Sequence, residues 1–268
     1  MWPWLARLRA QERRARKTIP EDLWRQTLGD CSFLAELPAN DLDRLRELSA
    51  LFLEDKEFHG AQGLVITDAM AVSIAAQACL PVLHFGPSDR PLRWYDDFVG
   101  IVVHPDEVLA RREVMDEDGV VHAYDEALAG EAMHEGPVML SWHDVRASSS
   151  ESGYNVVIHE FVHKLDMRDG AADGCPPLPA GFMGAASARD ARARWQATLQ
   201  AAYEAFTEAV IKAERFGAAP TWLDPYGAES LDEFFAVASE AYFVNRPRFA
   251  VDFPTLLPLF DAFYQARP

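Results

Sequence analysis

The chain is short of cysteine, has no uninterrupted apolar run of membrane length, and carries no overall excess of basic charge. Its three cysteines, Cys31, Cys79 and Cys175, are widely spaced, odd in number and form no C-x-x-C pair. That argues against a disulfide framework and against a cysteine-built structural zinc site, and it makes a reducing cytoplasm the expected compartment. The longest apolar stretch, residues 64–85, is interrupted by Thr67, Asp68, Ser73, Gln77 and Pro81. It reads as a buried helix rather than a membrane span. The N-terminus places Trp2 and Trp4 around Pro3 and then runs into arginines, without the apolar core of a signal peptide. A formal net charge of −17 over 268 residues disfavours direct binding to nucleic acid.

What the chain does have is apolar content of 49% and 11% aromatic residues, enough for a substantial core. The charge is uneven. Residues 1–17 carry Arg7, Arg9, Arg13, Arg14, Arg16 and Lys17 against the single acidic Glu12, a pattern that fits either a solvated helix face or a partner-binding arm. There are no internal repeats and no linker-like composition break. The expected organisation is an N-terminal helical segment, residues 1–60, packed on a body formed by residues 61–268, together one compact unit.

Periodicity places helices over residues 20–60, with Leu23, Trp24 and Leu28 in a first stretch. Asn40 then reads as the N-cap of a second, which carries Leu42, Leu45, Leu48 and Leu51. Another helix is expected over 64–80. Strands are expected at 99–103 and 138–142, where β-branched and apolar residues cluster. Residues 148–153 read as a loop, and 169–190, rich in Gly, Pro and Asp, as a long one. A long helix follows over 189–216 with Trp195, Leu199, Tyr203, Phe206 and Val210 on one side. A helix over 230–245 and a short one after Pro254 close the chain.

The most informative feature is His159-Glu160-Phe161-Val162-His163, an H-E-x-x-H pattern after the apolar run Val156-Val157-Ile158. On an α-helix, residues four apart share a face at about 6 Å. Two imidazoles at that spacing can hold one Zn²⁺, and the glutamate beside the first can take a proton from water activated by the metal. The segment is too apolar for a solvated helix, and burying two histidines and a glutamate without a partner costs several kcal/mol. The competing reading is a histidine pair satisfied by core carboxylates.

A catalytic zinc takes three protein ligands and keeps one open position. The pattern can be extended to Asp169, but the glycine such an extension needs at the turn is Asp166 here. Alternatively, a later helix supplies the carboxylate, with Glu229, Glu233 and Glu240 as candidates. Glu233 is followed by the apolar Phe234 and Phe235, which anchor it beside a core. Ser230-x-x-Glu233 also spells a capping box, in which the glutamate would reach back to the Ser230 amide. Glu240, two turns on, can support a ligand or be solvated. Asp166 can accept a ring N–H of a zinc histidine or cap the helix end. The strand at 138–142, which includes Ser141, can offer its edge to an extended peptide or be purely structural.

The runs Gly130-Glu131-Ala132, Gly136-Pro137-Val138-Met139-Leu140-Ser141-Trp142, Asn155 through Arg168, and Tyr226 through Val237 resemble the Mlc titration factor A family of bacterial cytosolic zinc peptidases. That family is in turn similar to the catalytic domain of lethal-factor-type toxin peptidases. The resemblance implies an α+β, mostly helical, zincin-like domain with a small mixed sheet flanking the motif helix. It implies a single Zn²⁺ on His159, His163 and Glu233, the ligand set of gluzincins, with Glu160 as base and Tyr226 helping to hold the oxyanion. Asp166, Glu240 and Ser141 become candidates for supporting the ligands or touching substrate. The implied activity is aminopeptidase-like hydrolysis of peptides. The implied partner is the glucose-responsive repressor Mlc, and the alternative is a repressor-binding protein in which peptidase activity is secondary.

Overall fold

The computed structural model describes residues 18–86, 91–115, 121–148 and 151–265; the basic run of 1–17 lies outside the described residues. The chain opens with helix α1 (Glu21–Asp30), the single turn α2 (Ser32–Ala35) and α3 (Ala39–Asp55), followed by strand β1 (Glu57–Gly60) and helix α4 (Asp68–Cys79). Strand β2 (Gly100–His104) leads into the hairpin β3 (Val108–Met115) and β4 (Val121–Leu128), then β5 (Gly130–Ala132), β6 (Val138–Ser141) and helix α5 (Trp142–Ala147). The remainder is helical: α6 (Val156–Asp166), α7 (Ala188–Phe216), α8 (Leu231–Val244), α9 (Arg246–Asp252) and α10 (Leu257–Tyr264). None of the described helices is long and apolar enough to cross a membrane.

The main sheet has the order β1-β2-β6-β5. Strands β1, β2 and β6 run parallel, and β5 is antiparallel to β6. This is the α+β architecture with a small mixed sheet that the sequence suggested. Ile101, Val103, Val138 and Leu140 turn inward from the two central strands and are fully or almost fully buried. Strand β6 is paired on both sides, so it cannot present an edge to a peptide; the edge strands of this sheet are β1 and β5.

Several boundaries differ from the periodicity reading. Helix α3 starts at Ala39, with Pro38 rather than Asn40 at the N-cap, because Pro38 is held at φ −55° and its carbonyl accepts from the Asp41 and Leu42 amides. Residues 57–60 leave the helix and pair with β2, a case of tertiary pairing overriding local preference. Helix α4 begins only at Asp68, where the Thr67 side chain accepts from the Met70 amide. The strand at 138–142 stops at Ser141, whose hydroxyl caps α5 by accepting from the Asp144 amide. The long helix and the 230–245 helix lie where expected, capped by Ser187 and Ser230.

Helix α6 occupies the middle of the fold, and all of its residues are buried. It packs against α8, α4 and strands β5 and β6, which is why it has no exposed face. Phe161 meets the rings of Phe52, Tyr95 and Phe98 at centroid distances of 5.6, 5.1 and 5.9 Å. Lys164 is 0% exposed. Its Nζ donates to Asp97 Oδ2 at 3.0 Å and to the carbonyls of Met133 and Gly136 at 2.6 and 3.0 Å, and it lies over the Phe98 ring. Burial pulls the lysine below its ordinary pKa and Asp97 opposes that shift. The lysine thus clips the β5–β6 turn to the central helix. Replacing Lys164 by Met leaves the Gly136 carbonyl and much of Asp97 without their donor, and the Met133 carbonyl with the Gly136 amide alone. The expected loss is about 3 kcal/mol of stability, read as a lower urea midpoint at unchanged slope.

Candidate metal centre

Asn155 starts α6 by accepting from the Ile158 amide at 2.9 Å, which sets the helical phase so that His159 and His163 face α8. Ser230 starts α8 by accepting from the Glu233 amide. Half of the capping box therefore forms, but the Glu233 carboxylate turns to the histidines. The His159 and His163 Nε2 atoms are 3.1 Å apart, and Glu233 Oε2 lies 3.0 Å from the first and 3.3 Å from the second. A tetrahedral ion with bonds of about 2.0–2.1 Å spaces its ligand atoms at about 3.3 Å. This small triangle of two imidazole nitrogens and one carboxylate oxygen therefore fits a divalent ion. Among the described residues it is the group of His, Cys, Asp and Glu side chains that could hold one.

Burial pushes Glu233 upward, but the hydrogen bonds and charges of the two histidines outweigh it and hold the carboxyl far below the usual range. For His159, burial lowers the pKa, while Glu233 and Glu240 more than offset it and leave the ring well above its ordinary value. The two shifts have one cause: the Glu233 carboxylate and the His159 imidazole each favour the other's charged form. Glu240 accepts from, or shares the proton of, His159 Nδ1 at 2.7 Å, so Nε2 is free to face the ion. Glu240 is itself fixed by the Asn155 amide, and the Asn155 side chain donates to Gln77 at 2.7 Å.

Glu160 is 4% exposed and lines the same cleft, which has a volume of about 740 Å³. Burial raises its carboxyl to about 7 despite the two histidines nearby. Its other wall is Gly130 of β5. A Cβ at that position would fall 2.4 Å from Glu160 Oε1 and 2.7 Å from Cδ and Cγ. Gly130→Ala must displace the Glu160 carboxylate. It is expected to lower hydrolysis at least about tenfold with metal content unchanged, measured by turnover alongside metal analysis.

Tyr226 lies in a short 3-10 turn, Pro225–Ala228, opened by Asp224, which accepts from the Tyr226 amide at 3.0 Å. The Tyr203 hydroxyl of α7 holds the turn by donating to the Ala228 carbonyl at 3.1 Å. The Tyr226 hydroxyl reaches Glu233 Oε1 at 3.2 Å, beside the ligand triangle and within the cleft.

Other anticipated residues fall elsewhere. Asp169 pairs with Arg192 at 2.9 Å and does not join the histidines. Asp166 accepts from the Gly174 amide at 2.8 Å, tethering the following loop; its Oδ1 has no partner and no histidine nitrogen bonds to it. Ser141 is buried as the α5 cap and does not line the cleft. Gly130, Asn155 and Gln77 were not anticipated. For Asn155 a signal existed, an N-cap residue immediately before the apolar motif helix; for Gln77, an isolated amide in an apolar run, none pointed to Asn155.

An α+β domain that brings two helix-borne histidines, a carboxylate from a second helix and a buried glutamate to one cleft has the form of a metallopeptidase centre. A family model described as glucose-regulated metallo-peptidase M90 matches residues 5–265, and the chain belongs to that family. It is 33% identical over 268 residues to Mlc titration factor A of Klebsiella pneumoniae (strain 342), covering 100% of this chain and 92% of the relative. It is 34% identical over 268 residues to Mlc titration factor A of Edwardsiella ictaluri, covering 100% and 93%. With Mlc titration factor A of Salmonella arizonae it shares 32% over 268 residues, covering 100% and 97%.

Proposed function

We propose that the protein is a zinc-dependent, aminopeptidase-like hydrolase of peptides. The observation that carries this reading is the triangle of His159, His163 and Glu233 atoms beside the buried Glu160. Zinc bound there would supply a Lewis acid that polarises the scissile carbonyl and acidifies water. Glu160, near neutrality through burial, is suited to take a proton and pass it to the leaving amine. The Tyr226 hydroxyl is within reach of the ligand triangle and can donate to an oxyanion. Gly130, Glu131 and Ala132 of the edge strand β5 all line the cleft, which supports an extended peptide adding alongside it. The three cysteines are buried free thiols, which supports a reducing compartment such as the cytoplasm. The test is metal removal. Treatment with a chelator should abolish hydrolysis of short peptides and one equivalent of zinc should restore it; hydrolysis that persists in metal-free protein would remove the reading.

A second reading, favoured by the printed name of the relatives, is that this chain also binds an Mlc-type repressor, with hydrolysis secondary. Binding of the repressor by a Glu160→Gln variant as tightly as by the wild type would separate the two roles.

A further inference from the structure

Helix α4 is almost wholly apolar, yet it carries one side-chain amide, Gln77, which is fully buried and does not line the cleft. Its Nε2 donates to the Ser73 carbonyl and hydroxyl oxygens at 3.1 and 3.2 Å, and its Oε1 accepts from Asn155 Nδ2 at 2.7 Å. The Ser73 carbonyl can only accept, and the Ile158 amide at the far end can only donate. Both side-chain amides therefore have a single orientation that satisfies every partner.

Asn155 is the junction of this chain. Its Oδ1 caps the Ile158 amide, its backbone amide donates to the Glu240 carboxylate, and its carbonyl accepts from the His159 amide at 3.0 Å. The other Glu240 oxygen meets His159 Nδ1 at 2.7 Å. A buried series of hydrogen bonds thus runs from Ser73 through Gln77, Asn155 and Glu240 to the ring that faces the candidate ion. Gln77 and Asn155 are 0% exposed and Glu240 is 2% exposed, so bulk water does not replace a lost link.

We propose that Gln77 is a positioning residue for the metal centre. By holding the Asn155 side chain in one orientation it fixes Glu240, and through Glu240 the His159 ring. The inference rests on the metal reading of the site and extends its support to a helix that contributes nothing to the cleft walls.

The test is a double-mutant cycle read as zinc affinity. Gln77→Met nearly keeps the side-chain volume and removes the acceptor for Asn155. Affinity is measured against a competing chelator where the metal-free proteins are folded, so that a loss of stability does not enter the binding constant. Gln77→Met should bind one zinc per chain about tenfold more weakly than the wild type. In a Glu240→Gln background the same substitution should change affinity by less than about twofold, because the step it acts through is already relaxed. Asn155→Ser keeps a helix cap but offers no amide to Gln77. It should weaken binding comparably, and it carries the test if Gln77→Met does not fold. Wild-type affinity in these variants would overturn the inference while leaving the metal reading intact. A tenfold loss that persists in full beside Glu240→Gln would overturn the route through Glu240. A wild type that binds no zinc would remove the metal reading itself, and this inference with it.

Discussion

Glu160→Gln is expected to lower peptide hydrolysis by about 10²–10⁴-fold while metal content stays at that of the wild type. The side chain keeps its shape and its place beside Gly130, but the amide cannot accept a proton. The same substitution has an opposite effect on stability, through linkage. Burial raises the Glu160 carboxyl from 4.5 to about 7 in the metal-free fold. A carboxyl raised in this way favours the fold while protonated. The metal-free wild type should therefore lose stability, relative to the Gln variant, as pH rises from about 4.5 through 7. Parallel denaturant titrations at pH 5 and pH 8 read this directly. A variant that keeps full hydrolytic activity would remove Glu160 from the role of base, whatever its stability.

The second large effect concerns Glu233. Glu233→Ala removes the only ligand that comes from α8 and is expected to weaken zinc binding by more than about 100-fold, measured against a competing chelator. Glu240→Gln, which leaves all three ligands in place, should weaken it less, by about 10–100-fold, because only the orientation of His159 is relaxed. Affinity in the wild type should also depend on pH. Glu233 and Glu240 raise the proton affinity of His159, and an ion bound there would compete with that proton. Affinity is thus expected to rise about tenfold per pH unit while the ring remains protonated. A pH-independent affinity, with no proton released into a weakly buffered solution, would mean that His159 is not a ligand.

The motif helix was legible because three independent features coincide there: histidine spacing, the neighbouring acid and an apolar run too long for a surface helix. Helices α7 and α8 were legible because serine caps and 3.6-residue periodicity agree. The short strands β1 and β5 carry no such signal. Each is only a few residues long, and their pairing is decided by β2 and β6, far away in sequence. That is also why the sequence leaves open whether the 138–142 strand offers an edge or is purely structural. Residues 138–142 look like the stronger strand, but strength of pattern does not reveal which neighbour covers it. The site was legible only in part for a similar reason. Glu233 was ambiguous because a capping box and a ligand glutamate share one spacing; in the fold the Ser230 hydroxyl caps the Glu233 amide while the carboxylate turns to the histidines instead of back to Ser230. The closeness of Gly130 to Glu160 depends on how β5 is laid against α6, which no local pattern encodes.

The central claim is that one divalent ion sits between α6 and α8. Anomalous diffraction at the zinc edge from crystals of the zinc-loaded protein tests it most directly. The account predicts a single strong peak at about 2.0–2.2 Å from Nε2 of His159, Nε2 of His163 and a carboxylate oxygen of Glu233, with Glu160 nearby but not coordinated. A peak elsewhere, or none between the two helices at full zinc occupancy in solution, would contradict it.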